Sequence, residues 1–299
     1  MDLVTLRAGG AGLRLAPAAG GAVARYWLER GARVREWLRA SPAEAFRDGD
    51  PYLASAFPLV PYSNRIREGR FSFRGRSIVQ LLNRPPERHA IHGHGWQAPW
   101  KPITISAADA KLEYRHEAGD WPWSYRATQR FTLEPARLRV ELTLTNESAA
   151  AMPAGLGWHP YFPRTPRATL TAATGAIWRT DAQMMPTTLV PPPPAADLGR
   201  GPIVDTLALD NSFVGWSGRA AIEWPEWGAR LVMTAEPPLD CLVVYTPAGR
   251  SFFCAEPVSH VTDAFNLAAA GRANTGMRVL EPAETLRAVV TLATEVDAA

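Results

Sequence analysis

Residues 137–145 alternate strictly between polar and apolar side chains over nine positions, with leucine or valine at every even-numbered one. A period of two indicates a β-strand with one buried and one solvated face, since successive side chains point to opposite faces of a sheet. Similar runs recur at residues 70–73, 77–82, 112–115, 230–234 and 285–292. Short strands separated by turn residues are typical of antiparallel sheets packed as a sandwich or barrel. The sequence therefore predicts an all-β fold.

Signals for helices are few. The 23 glycines and 27 prolines in 299 residues favour many turns and short elements. Residues 26–39 could form an amphipathic helix, but Gly31 interrupts the pattern and a hairpin is an equally good interpretation. Alternating patterns lie on both sides of the proline-rich run 190–196, which we interpret as a surface loop. We therefore predict a single domain spanning residues 1–299.

The charge pattern argues against nucleic acid as a partner. The formal net charge is only +3, and apart from Lys101 and Lys111 the basic residues are arginines scattered among acids. A protein that follows a phosphate backbone needs a basic stripe, which this chain lacks. We predict no nucleic-acid partner.

The cysteines and the apolar runs indicate the cellular compartment of the protein. Cys241 and Cys254 lie in apolar stretches without a CxxC spacing, so we interpret them as small core residues. The N-terminal residues show no signal-peptide pattern, and no stretch approaches 18 apolar residues. These features predict a cytoplasmic protein with no membrane partner, and they leave open whether it is a monomer or a homodimer.

Three of the six histidines cluster at His89, His92 and His94, just before Trp96. An HxH pair on a strand would place both imidazoles on one face, which is a spacing that metal sites use. A cupin-like site would need a carboxylate shortly afterwards, and residues 97–100 supply none. We therefore predict that the protein has no metal site.

Four further places combine polar and aromatic residues. His159 precedes a proline, which favours extended backbone, and aromatic residues follow it. Glu256 ends an apolar run, where a buried carboxylate needs a partner or a proton; a salt bridge to an arginine is the alternative. Asp210 lies near aromatic residues, and Asn64 and Arg65 form a polar pair. Aromatic faces combined with carboxylates and a cation suit a sugar ring.

The order of these motifs resembles the aldose 1-epimerase (galactose mutarotase) family. The motifs are Asn-Arg-Ile at 64–66, His92 beside a glycine, His-Pro-Tyr-Phe at 159–162, Asp210 and Glu-Pro at 256–257. The stretch at residues 13–21 is also similar to that family's first hairpin. The resemblance covers essentially the whole chain. It implies a large antiparallel β-sandwich, the galactose mutarotase-like supersandwich, with a cleft on one sheet.

The resemblance also implies roles for individual residues. Glu256 corresponds to the family's general base and His159 to its general acid. The family's substrate-binding positions correspond to Arg65, His92 and Asp210, with Asn64 beside them.

Two further residues mark a departure from the family. Its members commonly have Leu-His-Gly-Gly where this chain continues from His92 into His94 and Trp96. We expect these two residues to reshape the sugar pocket, together with Phe213 and Trp216.

The expected activity is that of an isomerase, an aldose 1-epimerase that opens and recloses the ring of a free monosaccharide by acid–base catalysis without a cofactor. We expect an ionised Glu256 and a His159 kept protonated by nearby carboxylates. Three alternatives stay open. The chain could be a hexose-6-phosphate 1-epimerase that holds the phosphate through Arg67 and Arg70. It could be a non-catalytic carbohydrate-binding β-sandwich, or a glycoside hydrolase that uses Glu256 and Asp210.

Overall fold

The structure is a computed structural model that describes residues 2–46 and 51–296. The rest of the predicted domain, residues 1, 47–50 and 297–299, lies outside the described residues. Half of the chain is strand and 9% is helix, which confirms the all-β prediction. Within the described ranges, no helix is long and apolar enough to cross a lipid bilayer.

The strands are short and follow one another closely. In chain order they are β1 (Val4–Ala8), β2 (Ala11–Ala16), β3 (Ala22–Arg30), β4 (Arg33–Glu36), β5 (Ala56–Leu59), β6 (Arg65–Ile66), β7 (Arg70–Phe73), β8 (Arg76–Val79), β9 (Ala90–Ile91), β10 (Lys101–Ile105), β11 (Asp109–His116), β12 (Tyr125–Glu134), β13 (Arg137–Asn146), β14 (Met152–Ala154), β15 (Gly157–Pro163), β16 (Thr169–Ala172), β17 (Ala176–Thr180), β18 (Pro186–Val190), β19 (Asp210–Val214), β20 (Arg219–Trp224), β21 (Ala229–Ala235), β22 (Cys241–Tyr245), β23 (Phe252–Val258), β24 (Arg278–Leu280) and β25 (Thr285–Val296).

Helices contribute little to the described residues. The α-helix α1 (Ala264–Ala269) follows β23. Single 3-10 turns occupy Ala43–Phe46, Pro51–Leu53, Arg67–Gly69, Pro194–Ala196, Leu198–Arg200, Val204–Thr206 and Pro225–Trp227.

Two large antiparallel sheets form the molecule. The larger has eleven strands in the order β1-β2-β3-β5-β15-β23-β22-β19-β17-β18, with β4 paired to β3. The smaller has eight strands in the order β10-β11-β12-β13-β25-β21-β20-β16. Short two-stranded ladders β6–β9, β7–β8 and β14–β24 accompany them. Buried apolar residues of both sheets belong to one hydrophobic cluster, as expected for a sandwich.

The two sheets differ in how their strands are buried. Along β13 every second residue is buried, the pattern of a strand with one face on the core and the other toward solvent. In the larger sheet, nearly every residue of β5, β15, β22 and β23 is buried. A strand buried on both faces needs a second cover, which the connections between strands provide here. The polar motifs lie on this second face.

The strand predictions are confirmed, with one correction. In the run predicted at 77–82, β8 ends at Val79 and one further backbone bond follows, from the amide of Gln80 to the carbonyl of Gly69. The amide of Leu81 donates to the Asp120 side chain instead of continuing the ladder. Residues 26–39 form a hairpin and not a helix: β3 pairs antiparallel with β4 around Gly31, whose φ is +56°.

Candidate functional site

The centre of the cleft is a histidine–glutamate pair on adjacent strands of the larger sheet. Strands β15 and β23 pair antiparallel in register on both sides of His159, which places this residue opposite Glu256. The distance from Nε2 of His159 to Oε1 of Glu256 is 3.4 Å. Two motifs about a hundred positions apart in the sequence therefore meet at one point of the sheet.

Burial dominates the electrostatics of this pair. It lowers the pKa of His159 to about 3, with a smaller contribution from the Arg39 guanidinium. It also raises the pKa of Glu256 well above its usual range, and neighbouring Asp210 adds to that effect. Both shifts run against the expectation of a charged His159 beside an ionised Glu256. Removing water from both groups favours the uncharged pair, with the proton on the carboxyl.

The pair also keeps unused hydrogen-bonding capacity. Nδ1 of His159 and Oε2 of Glu256 are buried and have no hydrogen-bond partner among the described residues. Buried polar atoms are nearly always satisfied in folded proteins, so an unsatisfied atom in a cleft indicates a position for a ligand or water.

A second histidine is held in a defined tautomer by the short ladder β6–β9. The amide N–H of Asn64 donates to Nδ1 of His92 at 3.1 Å, and the amide of His92 donates back to the carbonyl of Asn64 at 2.9 Å. Because Nδ1 accepts this hydrogen bond, Nε2 carries the proton of the neutral ring. Burial and nearby His159 lower the pKa of His92 well below its usual range, so it presents a neutral N–H donor.

Both residues occupy a backbone region that favours glycine: φ is +58° at Asn64 and +61° at His92. Asparagine and histidine tolerate this region better than most residues do. The ring of His92 lies 5.3 Å from that of His159, measured between centroids. These two left-handed residues therefore bring the imidazole of His92, on the loop, next to the imidazole of His159, on the sheet.

Arg65 connects the loop to the sheet. Its side chain is only 15% exposed, its Nε bonds Glu87 at 3.1 Å and its Nη2 bonds Asp210 at 3.4 Å. Burial opposes the charge of Arg65, but these two carboxylates outweigh it and raise its pKa. Burial likewise raises the pKa of Asp210 although Arg65 opposes the shift. The predicted positions Arg65 and Asp210 are thus brought together.

The cleft has a volume of about 390 Å³, within the range of small-molecule sites. Besides the predicted residues it is lined by Arg39, Tyr52, Leu53, Arg84, Ile91, Tyr161, Tyr245, Arg250 and Phe252. Two of these residues could have been predicted from the alternation of side chains along a strand. Tyr161 lies two positions after His159 and Phe252 lies four positions before Glu256, so each shares a strand face with that residue. Arg39, which stacks on both rings from the segment after β4, carried no sequence signal.

His94 and Trp96 do not line this cleft. The HxH pattern would put His92 and His94 on one face only in a strand, and here φ is positive at His92 and at Gly93. His94 instead points into a separate pocket, where it stacks on His116 at 4.4 Å. The buried indole N–H of Trp96 donates to the carbonyls on either side of His92, so Trp96 supports the loop from behind.

Other residues expected near the sugar also lie elsewhere. Phe213 and Trp216 are buried in the hydrophobic cluster. Arg67 lies 3.7 Å from carboxylate oxygens of both Asp181 and Asp263, and neither it nor Arg70 lines the cleft.

One group within the described ranges has the donors to hold a metal ion. Single ligand atoms of His159, Cys254 and Glu256 all lie within 4.8 Å of one another.

The sequence pattern of the aldose 1-epimerase family matches residues 2–293. The uncharacterized protein YphB of Escherichia coli K12 is 32% identical over 252 residues, which cover 82% of this chain and 83% of that protein.

Solved structures agree with this match. A crystal structure from Escherichia coli K12, provisionally named an aldose 1-epimerase, is 29% identical and superposes with a TM-score of 0.88 over 99% of both chains. A galactose mutarotase-like protein from Clostridium acetobutylicum shares the fold, with 19% identity and a TM-score of 0.84 over 99% of this chain and 95% of that one.

Proposed function

The chain belongs to the aldose 1-epimerase family, and from that premise we propose that it is an isomerase that interconverts the α and β anomers of a free aldose. The observation that carries the proposal is the buried His159–Glu256 pair, 3.4 Å apart and with one unpartnered atom on each side chain. Anomer exchange needs a base at the C1 hydroxyl and an acid at the ring oxygen, and the two groups supply both.

Ring opening moves two protons and breaks one bond. The Glu256 carboxylate takes the proton from the C1 hydroxyl, the C1–O5 bond breaks as the C1 carbonyl forms, and the His159 imidazolium gives its proton to O5. Rotation about C1–C2 turns the aldehyde, and the reverse transfers close the ring on its other face. The pair carries one transferable proton throughout and needs no cofactor.

The preference of the buried pair for its uncharged state fits this sequence of steps. Once the ring is open, Glu256 holds the proton and His159 is neutral, which is the state that burial favours. The site would therefore stabilise the state with an open-chain aldose and an uncharged pair relative to the state with a closed ring and a charged pair. Bound hydroxyls, together with Arg65, which lowers the pKa of Glu256, would support the charged pair before opening.

The remaining predicted residues are assigned to binding. The Nε2–H of His92 is available to donate to a sugar oxygen, and Asp210 offers carboxylate oxygens to hydroxyls. Arg65, Asn64 and Glu87 hold these groups in place. Tyr161 and Phe252 line the cleft under the Arg39 guanidinium, which stacks on both rings and would present its charge to the sugar hydroxyls.

The test is the relaxation of optical rotation of freshly dissolved α-glucose, α-galactose, α-xylose and α-fucose. The wild type should accelerate it for at least one sugar. Glu256→Gln and His159→Asn should each lose about 10²- to 10⁴-fold in rate. Glu223→Gln, which changes an exposed glutamate outside the cleft, is the matched control. A Glu256→Gln variant with wild-type rates would rule out this base.

A phosphorylated hexose is the second candidate substrate. The cleft is lined by Arg39, Arg65, Arg84 and Arg250 but by only two carboxyl groups. Arg250 is exposed at the rim and makes no ion pair with another described residue. A hexose 6-phosphate should then show a lower KM than the free sugar, and Arg250→Ala should remove that advantage.

Two other functions would give different results in these assays. Saturable sugar binding without exchange would favour a binding module, and cleavage of an aryl glycoside would favour a hydrolase.

A further inference from the structure

Cys254 is a buried thiol beside the acid–base pair that the proposed reaction does not use. It lies two residues before Glu256 on β23, so both side chains point to the same face of the sheet. It pairs in register with Tyr161, two residues after His159 on β15. The thiol is completely buried and does not line the cleft.

The three side chains have the donors of a zinc site and lie close to its spacing. In a tetrahedral zinc site, ligand distances of about 2.0–2.3 Å put neighbouring ligand atoms about 3.3–3.6 Å apart. The His159–Glu256 distance is already 3.4 Å, and the Cys254 sulfur lies within 4.8 Å of both partners. Closing the triangle requires the thiol to move by about 1 Å, within the reach of side-chain adjustment.

One further observation points to a ligand here. Glu256 is 2% exposed, and its Oε2 has no hydrogen-bond partner among the described residues. This buried oxygen is available to a metal without breaking an existing hydrogen bond. His159, which is 4% exposed, would coordinate through Nε2, the atom that faces Glu256.

We propose that a thiophilic divalent cation such as Zn²⁺ binds between Cys254, His159 and Glu256, with its fourth position open to the cleft. The thiolate selects Zn²⁺ over Mg²⁺ and Ca²⁺, which prefer oxygen ligands. Binding releases the thiol proton, and the carboxyl proton where Glu256 holds one, to solvent. The thiolate and carboxylate then carry two negative charges that balance the cation, while neutral His159 supplies its nitrogen.

Such an ion would inhibit the isomerase, a consequence that rests on the proposed function. A metal on His159 and Glu256 removes the acid and the base at once, and it occupies the position of the sugar's C1 and O5. Inhibition by Zn²⁺ should therefore be relieved by a chelator and by saturating aldose.

The first experiment measures binding alone. Wild type, Cys254→Ala and Cys241→Ala are dialysed to equilibrium against Zn²⁺ in a buffer that does not bind the metal. Cys241 is the matched control, because it is the other buried cysteine and lies outside the group. Loss of even an outer-shell partner commonly costs 10- to 100-fold in affinity, so Cys254→Ala should weaken binding by at least about 10-fold. Cys241→Ala should bind like the wild type.

Co²⁺ gives a spectroscopic check. The wild type and Cys241→Ala should show the near-ultraviolet charge-transfer band of a cobalt–thiolate bond, and Cys254→Ala should not. Glu256→Gln keeps the thiol but loses a ligand, so it should weaken Zn²⁺ binding even where Cys254→Ala folds poorly. Equal affinity in wild type, Cys254→Ala and Glu256→Gln would overturn the proposal, since the ion would then lie elsewhere.

The rate measurement separates the two proposals. If the wild type exchanges anomers, Cys254→Ala should need at least about 10-fold more Zn²⁺ than Cys241→Ala for half inhibition. Inhibition that is unchanged in Cys254→Ala would overturn the metal site and leave the isomerase standing. Absence of exchange with every aldose, combined with thiolate-dependent Zn²⁺ binding, would overturn the isomerase and leave the metal site standing.

Discussion

At the residue scale, catalysis and stability oppose each other in Glu256. Its carboxyl is buried, one of its oxygens is unpartnered, and burial raises its pKa well above the usual range. In the unfolded chain the same group ionises near pH 4.5. Folding therefore binds a proton above that pH, and the base needed for the reaction costs stability whenever it is charged.

We expect Glu256→Gln to stabilise the protein, and to do so more as the pH rises. A group whose pKa is raised on folding contributes most below its unfolded pKa, and its contribution is lost as pH rises through the folded value. Wild type should therefore lose stability from mildly acidic to alkaline pH relative to Glu256→Gln, which has nothing to titrate there. Urea unfolding at pH 5 and pH 8.5 measures the difference, which should widen by about 1 kcal/mol or more.

Glu223→Gln provides the comparison for this stability series, because that glutamate is exposed on β20. It should leave the pH dependence of wild type unchanged. If the gap between wild type and Glu256→Gln stayed constant from pH 5 to pH 8.5, Glu256 would be ionised in the folded protein as it is in the unfolded chain, and the account of an uncharged buried pair would be wrong.

At the scale of elements, the loop between β8 and β10 shows why local pattern could not predict the whole site. An HxH motif carries its meaning only within a strand, and the left-handed turn at His92 and Gly93 separates the two histidines. Gly93 and Gly95 allow such a turn around His94, but the other left-handed position is His92, where asparagine or glycine is more usual, so the sequence alone does not decide between turn and strand. The sequence could identify His92 by resemblance but could not exclude His94.

Asn83 helps to fix this loop, together with the Trp96 indole. Its Nδ2 donates to the carbonyls of Ile91 at 2.7 Å and Gly93 at 3.0 Å, and its Oδ1 accepts the amide of Ile91 at 2.9 Å. Three bonds from one side chain thus hold the backbone on both sides of His92. Asn83 does not line the cleft, so it acts as a positioning residue.

We expect Asn83→Leu to lower kcat/KM by about 10-fold or more, because small displacements of a binding group are costly. Asn83→Asp keeps the acceptor and loses both donors, so it should fall between wild type and Asn83→Leu. Gln97→Ala is the control: the exposed Gln97 side chain donates to the carbonyl of Asn83, and among the described residues it makes no hydrogen bond to residues 91–93. A purely structural effect would lower the melting temperature of Asn83→Leu without a matching rise in KM.

At the scale of the whole molecule, sheet order explains what the sequence predicted and what it did not. Strand type follows from local alternation, so the all-β fold could be predicted. Strands β5, β15 and β23 are neighbours although they lie far apart in the chain. That order puts Phe57, His159 and Glu256 in one row across the sheet. No local pattern encodes a register between distant strands, so this meeting was predictable only through the family's ordered motifs.

The shared core leads to a prediction for unfolding. Chains of about 300 residues often unfold in stages, sheet by sheet or domain by domain. Here Trp37, which follows β4 of the larger sheet, packs on Trp224 of β20 in the smaller sheet, with ring centroids 6.2 Å apart. Both indoles are buried in the cluster that both sheets share. The two sheets should therefore lose their structure together.

We expect one transition in urea or heat, with tryptophan fluorescence and far-ultraviolet circular dichroism coinciding and the calorimetric enthalpy equal to the van't Hoff enthalpy. Trp37→Ala should destabilise by about 3–5 kcal/mol and shift both signals equally, because its cavity lies between the sheets. Trp227→Ala removes a ring that is only partly buried and stacks on Trp224. This substitution should lower the free energy of unfolding by less than Trp37→Ala does. If Trp37→Ala moved one signal ahead of the other, each sheet would unfold on its own, and the prediction of a single cooperative domain would fail.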